Sequence, residues 1–540
     1  MHTMASNTRP YVENDHLVYN IDVFSRPPQR QYRTLTVPGS RGPFFMKTNE
    51  LSYFNSKRAN EQKKPNETHR VYKPSTPTVH TTNMASPSSN SQFTPFGSPI
   101  PYAEPLWYSR DISLHYNDSH RQLRQSVRKY VDEEILPYAF EWESAGKVPY
   151  AARAILITRA FKRHAELGYL ALGAGIANFP LPGGIPFAEW DSWHTLIVTD
   201  ELARVGYTGV LWGLGGGNGI GVPPIVNYGT EDQKARFLPG VANGSIRFCL
   251  GITEPDAGSD VANIKTTAVR EGSHYIVNGS KKWITNAIWA DYVTAAVRTG
   301  GPGAAGISLL IIPLSSKGVS RRPMHNSGVN ASGSTFITFE DVLVPADNLL
   351  HKENRGFEVI MSNFNAERKS IATSAIRLSR VCVEDAWKHA SSRETFGKKL
   401  IENAVIRAKF VKMGRMIEPA QAFLEQLTWL AEADRKTGTN NIRLGGMTAL
   451  LKVISTRCLE KCVREAQQVM GGLGYARGGK GGRFDITVHD PFISSLTIEA
   501  ISRDVRVMAV GGGSEEIMTE LAIKEEVKDL KNYRTKYSKL

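Results

Sequence analysis

The sequence predicts a mainly α-helical protein with a central β domain, and three observations carry that reading. Apolar residues first recur at three- and four-residue steps, as in Leu123, Val127, Tyr130, Val131 and Ile135, the period of a helix face. From 246 to about 350 the period switches to two, in YIVNG, KKWITN, YVTAAV, ISLLIIPL and STFITFEDVLV, with Gly-, Ser- and Asn-rich turns between. From 355 to 525 long amphipathic helical patterns return. The order is helices, strands, helices.

Taken in order, residues 1–105 are rich in Pro, Ser, Thr, Asn and Arg, and PSTPTVHTTNMASPSSNSQFTPFGSPIPY at 74–102 is low in complexity. Such a segment buries too little apolar surface to offset chain entropy and is expected to be disordered. Residues 106–245 form the N-terminal helical domain, with a second helix from about Asp191 to Val205. The glycine run GLGGGNGIG at 213–221 resembles a dinucleotide fingerprint, but a helix precedes it and Pro223 and Pro224 follow. The strand–turn–helix context is missing, so it reads as a connection. Residues 246–352 form the β domain, 353–528 the C-terminal helical domain, and 529–540 a tail.

Apolar residues make up 41% of the chain and charged residues 22%, as in ordinary globular proteins. No run approaches the about 18 apolar residues of a membrane span. The four cysteines, Cys249, Cys382, Cys458 and Cys462, lack neighbouring histidines and offer no metal framework. The net charge of +14 is spread along the chain, residues 1–100 holding 12 Lys or Arg against 6 Asp or Glu. It is weak support for nucleic acid, none of which is expected as a partner, and suits a phosphate-bearing small ligand equally well.

Two strings carry chemistry. GITEPDAGSD at 251–260 is a turn-rich loop with hydroxyls at Thr253 and Ser259 and small residues that let backbone N–H groups approach a ligand. NGSKKWITN at 278–286 places Trp283 and Thr285 two apart, on one face if the segment is extended. That suits a flat heterocycle needing one stacked ring and one hydrogen bond. On spacing alone, two ordinary hairpin segments serve as well.

The strings together resemble the flavin signature of the acyl-CoA dehydrogenase family. Further landmarks follow in family order: PIVNYGTEDQKARFLP at 224–239, RETFGK at 393–398, QVMGGLGY at 468–475 and RDVRVMAVGGGSEEIM at 503–518. The resemblance spans about 110 to 525. It implies an N-terminal helical domain, a middle β-barrel or sandwich and a C-terminal four-helix bundle. It also implies FAD, an acyl-CoA substrate, an electron-transfer flavoprotein or oxygen as acceptor, and a homotetramer or homodimer.

The helix from about Gly356 carries an apolar stripe of Phe357, Ile360, Phe364, Ile371, Ala375 and Leu378, and Glu367 falls inside it. Its neighbours at three and four residues, Asn363, Phe364, Ser370 and Ile371, include no cation. A carboxylate facing an apolar layer without a partner has its pKa raised, the condition for a general base near neutral pH. Periodicity alone also allows Glu367 to reach solvent at the stripe's edge. Most relatives place the catalytic glutamate in a late loop resembling YEGT, where this chain has GGGS at 511–514 and Gly512 in the glutamate slot. The isovaleryl and long-chain branches place it earlier, just before an arginine, as Glu367 stands before Arg368. The resemblance therefore makes Glu367 the base. The enolate oxygen would then be met by a flavin ribityl hydroxyl and a backbone N–H.

Carried over motif by motif, Leu250, Ile252, Thr253 and Ser259 line the flavin loop, and Ser259 also faces substrate. Trp283, Ile284 and Thr285 pack on the isoalloxazine and hydrogen-bond it. Arg393, Thr395 and Phe396 contact adenine-side phosphates from a neighbouring subunit, and Gln468, Gly471, Gly472 and Gly474 approach the pyrophosphate. Ser514 and Glu516 are late flavin contacts, and Asn365 and Arg368 hold the CoA portion unless they are ordinary surface polar residues. Two other readings are an acyl-CoA oxidase, usually longer at its C-terminus, and a DNA-associated flavoprotein of the superfamily. A nitroalkane-oxidising relative would carry its base at the position of Gly512. Ser538, Lys539 and Leu540 form the SKL signal read by the peroxisomal import receptor, so the peroxisome is expected. A mitochondrial alternative is weakened by Glu13, Asp15 and Asp22, unlike an acid-poor transit peptide.

Overall fold

Two long helices begin at reciprocal caps. Asn117 Oδ1 accepts from His120 N at 3.3 Å while His120 Nδ1 accepts from Asn117 N at 3.0 Å, and Asp191 with His194 repeats the box. His120 Nε2 lies 3.1 Å from Asp191 Oδ1. Because His120 Nδ1 is a backbone acceptor, its Nε2 carries the proton donated to Asp191. The His120–Asp191–His194 cluster is thus a joint between two helix starts, with no His120 lone pair left for a metal ion.

The computed structural model describes residues 95–110, 113–148, 160–438, 443–476 and 497–537, all within one compact unit, Ser89–Leu540. Of the low-complexity extension expected over residues 1–105, residues 1–94 lie outside them, as does the tripeptide Ser538–Leu540, whereas 95–105 belong to the packed chain, with Ala103 buried and Glu104 paired with Arg128 and Arg377. The first group of helices is α1 (Leu106–Ser109), α2 (Asp118–Tyr130), α3 (Leu136–Ala145), α4 (Ala160–Glu166), α5 (Tyr169–Ala174), α6 (Ser192–Ala203), α7 (Thr208–Leu211), α8 (Gly217–Gly221), α9 (Pro223–Tyr228) and α10 (Glu231–Ala242).

The strands are β1 (Phe248–Gly251), β2 (Thr267–Glu271), β3 (His274–Ile284), β4 (Tyr292–Arg298), β5 (Ile307–Pro313), β6 (Val319–Pro323), β7 (Thr335–Pro345) and β8 (Leu349–Leu350). They form one sheet in the order β6-β7-β3-β2-β4-β5-β8, with β1 parallel to β4. The interior residues of β4 and β5 are all buried, which explains their unbroken apolar runs, whereas β7 alternates over its first half. One core cluster joins Phe248 and Leu309 of the sheet to Ile225, Phe237 and Ile360 of the helices. Another holds Tyr275, Val293, Leu310, Ile337 and Phe339.

The C-terminal part comprises α11 (Gly356–Ser392), a hairpin of β9 (Glu394–Thr395) and β10 (Lys398–Lys399), α12 (Ala404–Thr437), α13 (Gly445–Met470), α14 (Ile498–Val510) and α15 (Glu515–Tyr537). Ile376, Met413, Leu459 and Ile501 from four of these helices share a core with Leu123 of α2 and Trp142 of α3. Buried charges pin the two helical groups together. Arg377 of α11 pairs with Glu104 and Asp200, and Arg128 of α2 with Glu104 and Glu201. Deleting one member of such a buried pair typically costs about 3–5 kcal/mol, because its partner stays buried and charged.

The glycine run corrects the sequence reading. It is not a connection but helix, a π-helical turn Trp212–Gly216 running into α8. Glycine is needed there because α8 lies against the backbone of β1. A Cβ on Gly221 would fall 2.6 Å from Cys249 O, and one on Gly217 would strike Phe248 O. Asn218 Oδ1 accepts from Phe248 N at 2.7 Å, and Thr294 Oγ1 donates to Gly221 O at 2.6 Å.

Candidate active site

The two signature strings are joined by backbone and by a buried ion pair. Lys282 N donates to Thr253 O at 2.9 Å. Beneath the loop, Lys281 Nζ reaches Glu254 Oε1 at 2.7 Å and Ile252 O at 3.1 Å. Glu254 also accepts from Lys265 N at 2.5 Å and Thr266 N at 3.0 Å. Burial pushes the Lys281 ammonium down to about 8 against the pull of Glu254. Both residues lie inside the strings, yet sequence reading passed over them in favour of the hydroxyls and the tryptophan.

Trp283 departs from the expected geometry. Its φ is 58°, at a register shift of β3 against β7 between Lys281 and Ile284, and Thr285 begins a turn. Strand alternation therefore does not put Trp283 and Thr285 on one face. Trp283 is half exposed, with Lys282 Nζ 4.3 Å from its ring centroid. The side chains of Ile284 and Ile252 lie in the core, so these two residues offer a ligand backbone rather than side chains. Leu250 and Thr253 are partly buried and Ser259 is exposed. Asn286 locks the turn to the glycine helix, its Oδ1 accepting from Gly217 N at 2.7 Å and its Nδ2 donating to Trp212 O at 3.0 Å.

On α11 the buried positions between Ile360 and Ala372 are both polar, Asn363 and Arg368. Here the apolar stripe gives way to the site. Glu367 is partly buried, and desolvation raises its carboxyl to about 8, with Arg368 pulling the other way. It does have a partner, contrary to the sequence reading. Asn363, one turn earlier, donates from Nδ2 to Glu367 Oε1 at 2.6 Å and to Ile220 O of α8 at 3.2 Å. Arg368 is not a surface residue. Its Nε donates to Gly512 O at 3.1 Å and its Nη1 to Asn365 Oδ1 at 3.2 Å, while Asn365 itself is exposed.

The late turn is thus docked on the helix of Glu367. Gly512 has a φ of +67°, and a Cβ there would lie 3.0 Å from Ile371 Cδ1 and 3.9 Å from Arg368 Cγ. From the other side, Lys452 of α13 donates to Ala509 O at 2.6 Å and Gly513 O at 2.9 Å. Ser514 O accepts from Met518 N at 2.9 Å in the first turn of α15, and Glu516 is exposed. Glu515 pairs with Arg457, so Glu515 and Glu516 form no dyad.

The remaining motif residues lie elsewhere. Arg393 follows α11, at about 1.5 Å per residue roughly 40 Å along that helix from Glu367. Phe396 is fully exposed at the hairpin tip, with a φ of 53°. Thr395 Oγ1 is buried without a hydrogen-bond partner among the described residues. At the end of α13, Gln468 is exposed, Gly471 turns the chain at φ +59°, Gly472 has open space where a side chain would stand, and Gly474 is buried.

Three family models match in sequence: the acyl-CoA dehydrogenase N-terminal domain over residues 117–245, the middle domain over 249–342 and the C-terminal domain over 354–526. The chain is 48% identical to acyl-CoA dehydrogenase AFT10-1 of Alternaria alternata, over 81% of this chain and 98% of that protein. It is 29% identical to the mouse (Mus musculus) mitochondrial long-chain specific acyl-CoA dehydrogenase, over 77% and 88%. Among solved structures, acyl-CoA dehydrogenase from Geobacillus kaustophilus superimposes with a TM-score of 0.64 at 27% identity, covering 77% of this chain and 99% of that one. The chain belongs to the acyl-CoA dehydrogenase family.

Proposed function

We propose that this protein removes the α-proton of an acyl-CoA thioester with Glu367 and yields the trans-2-enoyl-CoA. The class is that of its family, an oxidoreductase acting on acyl-CoA, with FAD as cofactor. The observation that carries the finer reading is the pairing of Glu367 with the empty slot at Gly512. A carboxylate raised to about 8 stands on the helix against which the glycine turn is held by Arg368.

The residues present fit FAD. Trp283 is half exposed and follows Lys282, whose N–H joins the string to the 251–260 loop at Thr253 O, and Gly258 and Ser259 of that loop are exposed. Gly472 leaves open space at the end of α13, and the orphaned Thr395 Oγ1 awaits a donor or acceptor. Trp283, Thr285 and the 251–260 backbone would hold the ring system. Gln468 and the glycines after it would meet the pyrophosphate, Ser514 and Glu516 would make late contacts, and Arg393, Thr395 and Phe396 would meet the adenine side. Because the last group sits at the far end of α11, we assign it to the cofactor of a second copy, which requires an oligomer. When bound, FAD supplies the hydride acceptor.

The chain's own work is proton removal and its control. A base near 8 is largely protonated at neutral pH until desolvation is offset, so hydrogen bonds to its ionised form decide how readily it takes the proton. Arg368 fixes the Gly512 turn and holds Asn365, whose exposed amide is the side chain left to meet the CoA portion. The electron acceptor is proposed to be an electron-transfer flavoprotein or oxygen, and the location the peroxisome. The test is anaerobic addition of a panel of acyl-CoA thioesters to the FAD-loaded protein. At least one should bleach the flavin in the parent and none in Glu367→Gln.

A further inference from the structure

We infer that Asn363 is the positioning residue of the base, a primary amide that α8 anchors and that holds one oxygen of Glu367. This rests on the assignment of Glu367 as the base. The geometry is specific. Residues 363 and 367 are one helical turn apart and share a face of α11. Asn363 is only 7% exposed, and its Nδ2 lies 2.6 Å from Glu367 Oε1 and 3.2 Å from Ile220 O. The two N–H bonds of one amide nitrogen are thereby divided, one to a helix carbonyl and one to the carboxylate.

Two consequences follow. The bond occupies Oε1, so Oε2 is left to receive the substrate's proton. It also favours the ionised carboxylate, opposing the burial that raises it. The charged group acting on Glu367 among the described residues is Arg368 of the same helix, and Arg368 in turn helps burial lower the Lys452 ammonium of α13. The other elements contribute carbonyls, Ile220 O from α8 to Asn363 and Gly512 O from the late turn to Arg368. Asn363 therefore joins the glycine helix to the catalytic carboxylate. Through Asn286, which accepts from Gly217 N, that helix is tied to the 278–286 string as well.

The test uses the full-length, FAD-loaded protein and whichever acyl-CoA bleaches the parent. Single-turnover flavin reduction is followed from neutral to alkaline pH in the parent, Asn363→Ala, Asn363→Asp and Glu367→Gln. In Asn363→Ala the apparent pKa of reduction should rise by about one to two units, the worth of a hydrogen bond to a charged group. Its rate at neutral pH should fall by about tenfold or more, with the half-saturating acyl-CoA concentration little changed. The near-isosteric Asn363→Asp replaces the donor by a second carboxyl and should shift the profile upward too. It serves as the reading if the alanine variant fails to bind FAD. Profiles that superimpose on the parent's after scaling would overturn the positioning role and leave Asn363 a mere tie to Ile220. Near-parent reduction in Glu367→Gln would instead overturn the base assignment itself, a separate result.

Discussion

Moving the carboxylate tests whether Glu367 and the Gly512 slot address the same substrate carbon. The perturbation is Glu367→Gly combined with Gly512→Glu. A Cβ at Gly512 would point at α11, 3.0 Å from Ile371 Cδ1 and 3.9 Å from Arg368 Cγ, within the turn that follows Glu367. The first contact is tight but meets the mobile end of an isoleucine, which yields by a few tenths of an ångström. The φ of +67° adds a penalty of roughly 1–2 kcal/mol for a side chain in the left-handed region. Glycine within α11 adds about 1 kcal/mol more. These penalties are set against the relief of removing the buried Glu367 carboxylate, so the double variant should still fold. Glu367→Gly alone should reduce its flavin about a hundred- to ten-thousand-fold more slowly, the usual range for a lost general base. The double variant should recover at least about tenfold of that, read by anaerobic stopped-flow bleaching at equal FAD occupancy. If it is no faster than Glu367→Gly, the two positions do not reach the same carbon, and Gly512 is not the vacated place of the base.

Burial makes Glu367 a stability liability whose sign is fixed. Its carboxyl is raised from about 4.5 to about 8 in the folded protein, so stability present below about 4.5 is lost as pH rises toward 8. Glu367→Gln should therefore raise the melting temperature, and the gain over the parent should grow between pH 5 and pH 8. Lys452→Met strands the buried Ala509 carbonyl, at a cost of about 1–3 kcal/mol, and frees the partly exposed Gly513 carbonyl to water. Thermal melts should show that loss, and acyl-CoA turnover should fall with it because the 511–514 turn loosens. Deleting Leu540 from the SKL tripeptide should abolish import of a tagged chain into peroxisomes, as seen by fluorescence microscopy; unchanged import would remove the tripeptide as the signal.

What the sequence disclosed depends on how local each cause is. The period of α11 and of the strands was legible because each residue's side depends only on its own helix or pleat. Glu367 was legible as an acid inside that stripe, and Gly512 as a missing one. Trp283 was misread because its conformation comes from a bulge in the pairing of β3 with β7, a partner strand more than fifty residues away. The glycine run was misread for a related reason. Low helix propensity reads as loop, whereas here the absence of side chains is what lets α8 approach the Phe248 and Cys249 carbonyls. Of the clamps on the late turn, Arg368 was legible as the arginine after the base but not as a donor to Gly512 O, and Lys452, which donates to Gly513 O, has no signature at all. A cation bonded to a carbonyl looks in sequence like any surface lysine or arginine. Asn363 belongs with them, since the amide matters only once α8 brings Ile220 O within 3.2 Å of it. Sequence thus located the acid, while tertiary packing determines the hydrogen bonds that govern its ionisation. Substitutions at Asn363, Arg368 and Lys452 should accordingly alter rate and pH dependence more than any reading of the motifs would suggest.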